Sequence, residues 1–202
     1  RGMSPLRADL EIVANWVGRG DRVLDLGCGD GRLLRYLFDR RQATGYGLEI
    51  DPDGITRSLA NGINVIESDI DEGLSDFDTN AFDQVILTQT LQAVQRPDQL
   101  LWEMLRVGRT GIVTFPNFAY YRLRWHLAVK GRMPMSHALS YAWYETPNIH
   151  FCTIDDFEAL CEQLSIHIIE RRVLSHDYKS PRLARWMPNL FGEVALYRIC
   201  RA

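Results

Sequence analysis

Along the chain, short runs of β-branched and aliphatic residues alternate with stretches whose apolar residues recur every three or four positions. Residues 22–27 (RVLDLG), 44–50 (TGYGLEI), 64–70 (NVIESDI), 83–89 (DQVILTQ) and 110–115 (TGIVTF) have the character of buried strands. Between them, 31–40, 52–61 and 97–107 carry helical spacing. In the last of these Leu100, Leu101, Met104, Leu105 and Val107 form one apolar face, Pro97 and Asp98 mark the start and Gly108 the end. Strand–helix–strand units of this length predict a parallel sheet with helices on both faces. Ligands of such sheets bind beyond the carboxyl ends of the strands, where the chain order reverses.

After the fifth strand the rhythm stops. Residues 116–150 are aromatic and basic and show no strand pattern. A helix over 153–164 (TIDDFEALCEQL) follows, with Thr153 as N-cap, and with Asp155 and Asp156 at the positive end of its dipole. Two strands, 166–174 and 193–201, separated by a loop, predict a hairpin-like pair closing the sheet. No repeat or linker divides the sequence, so residues 1–202 read as a single domain with an insertion at about 116–150.

Composition narrows the classes. A length of 202 residues fills one core, and 46% hydrophobic with 24% charged residues is the balance of an ordinary globular domain. With 23 Lys and Arg against 26 Asp and Glu, the net charge of −3 argues against a general nucleic-acid surface. No apolar run reaches the roughly 20 residues of a membrane span, and no signal-peptide pattern opens the sequence. Arg1 and Gly2 read as a cloning remnant before a natural start at Met3 or a little later, and the expected location is the cytoplasm. Cys28, Cys152, Cys161 and Cys200 form no CxxC pair, which favours free thiols over a zinc site or disulfides.

The densest chemistry lies in Val23-Leu24-Asp25-Leu26-Gly27-Cys28-Gly29-Asp30-Gly31, where an apolar strand runs into three alternating glycines and then a helix. Glycine permits a tight turn and close backbone approach to a ligand, and the helix start offers free N–H groups. The dinucleotide pattern GxGxxG needs a small residue where Arg32 stands, and Asp25 and Asp30 suit a cationic ligand better than a pyrophosphate. The second strand ends in Glu49-Ile50-Asp51, placing a ribose-reading acid about 20 residues after the loop. The third ends in Glu67-Ser68-Asp69-Ile70, where Asp69 can meet an adenine amino group and Ile50 and Ile70 can enclose the base.

The run VLDLGCGDG, with Glu49, Asp69 and FDQVILTQTLQAV, resembles the class I S-adenosylmethionine-dependent methyltransferases. That resemblance implies a Rossmann-like, doubly wound α/β fold of seven strands, mostly parallel with an antiparallel final strand. It also implies a site for S-adenosylmethionine or S-adenosylhomocysteine, without metal, at Asp25, Gly27, Cys28, Gly29, Asp30, Gly31, Glu49, Ile50, Asp69, Ile70 and Gln89. Adding MLRVGRTGIVTFPNF, GRMP and WYETPNIHFCTIDDFEALC, the chain is similar nearly end to end to the MetW family of methionine biosynthesis. This second resemblance implies a partner or regulator of the homoserine O-acyltransferase, MetX. The alternative is an active methyltransferase on a small acceptor.

Catalysis has little support in the residues. Thr88-Gln89-Thr90-Leu91-Gln92 is polar without being basic, Pro116-Asn117 reads as a turn, and Cys28 reads as a packing residue. Among His126, His137, His150, His167 and His176, His150 falls nearest the expected mouth of the site. The insertion carries Tyr120, Tyr121, Arg122, Arg124, Trp125 and His126, then Lys130 and Arg132. Its segment 118–144 lacks Asp and Glu. Such residues are enriched in interface hot spots. A lid helix, a partner surface, an acceptor pocket and, more remotely, a single-stranded nucleic-acid contact all fit this composition. The loop 178–191, with Lys179, Arg182, Arg185, Trp186, Met187, Pro188 and Phe191, can extend the same surface.

Overall fold

The computed structural model describes residues 6–136, 138–175 and 182–202. Seven strands form one sheet: β1 (Arg22–Leu26), β2 (Thr44–Glu49), β3 (Val65–Glu67), β4 (Phe82–Thr88), β5 (Gly108–Pro116), β6 (Ile166–Leu174) and β7 (Val194–Arg201). Their order is β3-β2-β1-β4-β5-β7-β6. All run parallel except β7, which pairs antiparallel with both β5 and β6. This is the doubly wound arrangement with one reversed final strand. The chain order switches beside β1, so a crevice is expected over β1 and β4.

The helices are α1 (Ala8–Trp16), α2 (Arg32–Arg41), α3 (Pro52–Ala60), α4 (Pro97–Val107), α5 (Tyr121–Lys130), α6 (Ile154–Gln163) and the short α7 (Pro188–Phe191). Alternate strand residues feed two separate cores, as the two-residue period of a strand requires. Leu24, Leu26, Val85, Leu87, Val113 and Phe115 pack with Leu101, Met104 and Phe157 of α4 and α6. Val23, Ile86 and Ile112 pack with Val13, Leu34 and Leu37 of α1 and α2. Asp25 falls on the second face, two residues after Val23.

Several boundaries differ from the pattern for identifiable reasons. The third strand stops at Glu67 because the Asp69 carboxylate accepts the N–H of Asp71 at 2.9 Å and starts a 3-10 turn over Ile70–Glu72. The fifth strand starts at Gly108, the residue that also caps α4. Thr153 caps α6 within a full capping box with Asp156. Helix α1 was not among the expected elements, although Leu10, Val13, Ala14 and Val17 have helical spacing and are packed on the second core.

Candidate functional site

The carboxyl edge of the sheet is built around the turn after β1. Gly27, Gly29 and Gly31 all have positive φ, at 70°, 59° and 71°. The N–H groups of Gly27 and Cys28 both donate to the Leu48 carbonyl, at 2.8 and 3.0 Å, which pins the turn to β2. At Gly31, which caps α2, a Cβ would stand 2.8 Å from Ser58 Oγ and 3.0 Å from Ile63 Cγ1. At Gly29 a Cβ would meet nothing within 4 Å, so this backbone faces open space, as a ligand cradle should.

Glu49, at the end of β2, reaches back to this turn. Its Oε2 accepts the Gly29 N–H at 2.7 Å, and its Oε1 accepts those of Ile50 and Asp51, both at 2.9 Å. Asp25 is buried, and its Oδ1 has no hydrogen-bond partner. Burial, and secondarily the charge of Glu49, push its carboxyl up from 3.8 to about 8. An idle, buried acid oxygen near the end of β1, in the strand that leads into this turn, is a group whose lack of a partner calls for an explanation.

The remaining expected residues fall around the same edge. Ile50 is 57% exposed, an aliphatic side chain left uncovered at a strand end, whereas Ile70 packs partly against the first core. Asp69 gives one oxygen to the Asp71 N–H. Gln89 follows β4 with φ 55°, its N–H held by the Thr114 carbonyl at 2.9 Å. Asp30 is turned onto Arg32 at 2.8 Å, so its charge is already partnered. The Cys28 thiol is buried, 3.6 Å from Ser58 Oγ, and pushed up to about 12 chiefly by burial, which leaves it unreactive.

Of the other candidates, Asn117 is wholly buried, its amide donating to the carbonyls of Asn189 and Gly192 at 2.9 and 2.8 Å. It ties the end of β5 to α7 and is structural. The N–H groups of Ile149 and His150 donate to the Gln92 carbonyl at 2.9 and 3.0 Å, docking the insertion's end against the turn after β4. The His150 ring is exposed, with Nε2 3.4 Å from the Gln95 carbonyl. His137 and His176 lie outside the described residues, as does Lys179. Sequence reasoning did not single out Glu193, which is buried just ahead of β7 with Oε2 unpartnered. Its signal was available only through the reversal of β7, which brings the start of that strand to the ligand edge.

Helix α5 buries only Leu123; Trp125 is 71% exposed, and Leu127 and Val129 are also open to solvent. Its Tyr121 ring lies 5.8 Å from that of Phe191, so the insertion and α7 share a surface. A groove of about 700 Å³ there is lined by Tyr121, Arg124, Trp125, His126, Val129 and Leu190. Among the described residues there is no cluster of His, Cys, Asp or Glu fit for a metal, and no helix long and apolar enough to cross a membrane.

The family described as methionine biosynthesis protein MetW matches residues 7–199. A curated relative from Rhodopirellula baltica, the bifunctional methionine biosynthesis protein MetXA/MetW, is 41% identical over 174 residues. The match takes in 82% of this chain and 28% of the relative, so the chain spans little more than a quarter of that protein. Among solved structures, an S-adenosylmethionine-dependent methyltransferase from Mesorhizobium loti aligns with TM-score 0.70 at 15% identity, covering 96% of this chain and 98% of that one. One from Archaeoglobus fulgidus aligns with TM-score 0.68 at 16% identity, covering 95% and 91%. The [4+2]-cyclase SpnF aligns with TM-score 0.65 at 16% identity, covering 95% and 80%. These likenesses establish a shared class I methyltransferase fold, and a cyclase among them shows that the fold alone does not fix the reaction. With its family match running almost the whole length, the chain belongs to the MetW family of methionine biosynthesis proteins.

Proposed function

We propose that the protein binds S-adenosylmethionine or S-adenosylhomocysteine at the β1–β3 edge and acts as a partner or regulator of homoserine O-acyltransferase, MetX. The observation that carries the ligand reading is the buried, unpartnered Asp25 oxygen in the strand that leads into the turn where the Gly29 backbone faces open space. In this reading the cationic amino acid portion of the ligand displaces the Asp25 proton, the ionised acid then accepts from the ligand's ammonium group, and Glu49 accepts from its ribose. Asp69 faces the adenine amino group, Ile50 and Ile70 cover the base, and Gln89 closes the edge over β4. Bound S-adenosylmethionine supplies a sulfonium-activated methyl group. Thr88, Gln89, Thr90 and Gln92 offer hydroxyls and amides and no group that is basic at neutral pH, which favours binding over turnover.

The partner reading is supported by the relative whose name joins MetXA and MetW in one chain. It is also supported by the exposed, acid-free aromatic face of α5, of the composition found at interface hot spots. The test is size-exclusion chromatography of the chain mixed with a separately purified homoserine O-acyltransferase of the same source. Co-elution at micromolar concentration is expected; independent elution contradicts the partner role.

A further inference from the structure

Four buried side-chain polar atoms lack a hydrogen-bond partner among the described residues: Asp25 Oδ1, Gln92 Oε1, Glu193 Oε2 and Arg198 Nε. Glu193 is the acid among them that the β1–β3 edge does not use. Its backbone is fixed on both sides. The Asn117 N–H donates to its carbonyl at 2.7 Å, and its own N–H donates to the Leu174 carbonyl at 2.8 Å. Val194 pairs with Pro116, so the reversed direction of β7 delivers Glu193 to the edge where the parallel strands end. The residue is only 2% exposed. A carboxylate held out of water with an idle oxygen is costly unless something donates to it.

Glu193 lines a cavity of about 360 Å³ together with Tyr120, Arg122, His126, Met135 and Ser136. That volume is at the lower end for small-ligand sites and admits a molecule of a few heavy atoms with some water. Arg122 stands on the exposed part of α5, and its Nε donates to the Tyr121 hydroxyl at 3.1 Å. None of the ion pairs among the described residues takes up its guanidinium. The cavity thus carries one buried negative group and one positive group nearer solvent. Tyr120 is buried, and its phenol is pushed up to about 12 chiefly by that burial, so it brings no charge to the cavity; its hydroxyl is engaged with Tyr121.

We propose that this cavity is a second binding site, for a free α-amino acid whose ammonium group donates to Glu193 and whose carboxylate faces Arg122. A zwitterion leaves the pair of opposite charges in the cavity neutralised, whereas a simple anion would meet Glu193 and a simple cation would leave Arg122 with Tyr121 alone and no carboxylate. The site is distinct from the β1–β3 edge and does not require that edge to hold a nucleoside.

The test is calorimetric titration of the nucleoside-free protein with L-homoserine, L-methionine and glycine, and with ethanolamine and propionate as half-ligands. At least one amino acid saturates the protein at about 10 mM, and each half-ligand binds more weakly. Glu193→Gln, which preserves shape, weakens the amino acid by about tenfold or more, the loss expected of a charge-assisted hydrogen bond. Arg122→Ala, at an exposed position, weakens the amino acid similarly and leaves ethanolamine unchanged, so the proposal stays testable even if the Glu193 variant does not fold. No saturation by any probe, or amino acid binding indifferent to the Arg122 substitution, overturns it.

Discussion

Glu49 and Gly29 are 20 residues apart in the chain and joined by a 2.7 Å hydrogen bond, from the glycine N–H to Oε2 of the acid. The other oxygen takes the N–H groups of Ile50 and Asp51. A carboxylate offers about four lone-pair positions, so the loop itself occupies most of this acid's capacity. Glu49 therefore holds the glycine turn in shape before any ligand arrives, and a ribose would have to share it.

Glu49→Ala should weaken binding of S-adenosylmethionine by about tenfold to a hundredfold, from the loss of charge-assisted hydrogen bonds worth about 1.5–3 kcal/mol. Amide exchange at Gly29 should quicken in the same variant, because its acceptor is gone. A folded variant with wild-type affinity would place the ribose elsewhere.

The raised Asp25 carboxyl gives the ligand-free protein a defined pH response. Its folded value lies near 8 against 3.8 for the free side chain, so between about pH 4 and pH 8 the folded state binds a proton that the unfolded state has released. Stability from this group is present at low pH and is lost as pH rises through that window, at most about 1.4 kcal/mol per pH unit. Asp25→Asn removes the titration, so urea midpoints measured from pH 5 to pH 9 should show the variant gaining on the wild type as pH rises. Parallel curves would mean that Asp25 is ionised in the folded protein.

Two glycines of the turn should respond differently to alanine. Both Gly29 and Gly31 have left-handed φ, which costs a Cβ-bearing residue about 1–2 kcal/mol. Gly31→Ala adds a clash with Ser58 and Ile63 and should lose the larger share of stability in a denaturant melt. Gly29→Ala points its methyl into open space, so it should lose less stability and lose ligand affinity instead.

Much of this fold was legible because the strands alternate between two aliphatic cores and the helices carry their apolar stripes in register. Val23 against Leu24, and Ile86 against Leu87, fall on opposite faces as a period of two demands. The candidate acids were legible for the same reason, since each strand end is marked by the glycine or acid that follows it. What escaped was set by tertiary context. Helix α5 buries little beyond Leu123, so no apolar stripe marks its bounds, and a lid helix is only one of several readings of the insertion. Glu193 gains meaning only when β7 runs backward between β5 and β6. The engagement of Asp30 by Arg32 depends on a side-chain geometry that spacing does not encode.

On the surface of α5, Trp125→Ala should change stability by less than about 0.5 kcal/mol, because the ring is already mostly in solvent. Combined with Arg124→Ala, it should abolish co-purification with the acyltransferase while leaving nucleoside binding intact. Retained co-purification would move the interface away from this helix.

Regulation of the acyltransferase through the ligand requires nucleoside occupancy and partner association to be linked. A ligand can bias an association only through different affinities for the free and complexed forms. Calorimetric titration with S-adenosylmethionine and S-adenosylhomocysteine, with and without homoserine O-acyltransferase, measures this directly. The account predicts a Kd that changes when the partner is present; identical Kd values in both states, or no binding in either, would contradict it.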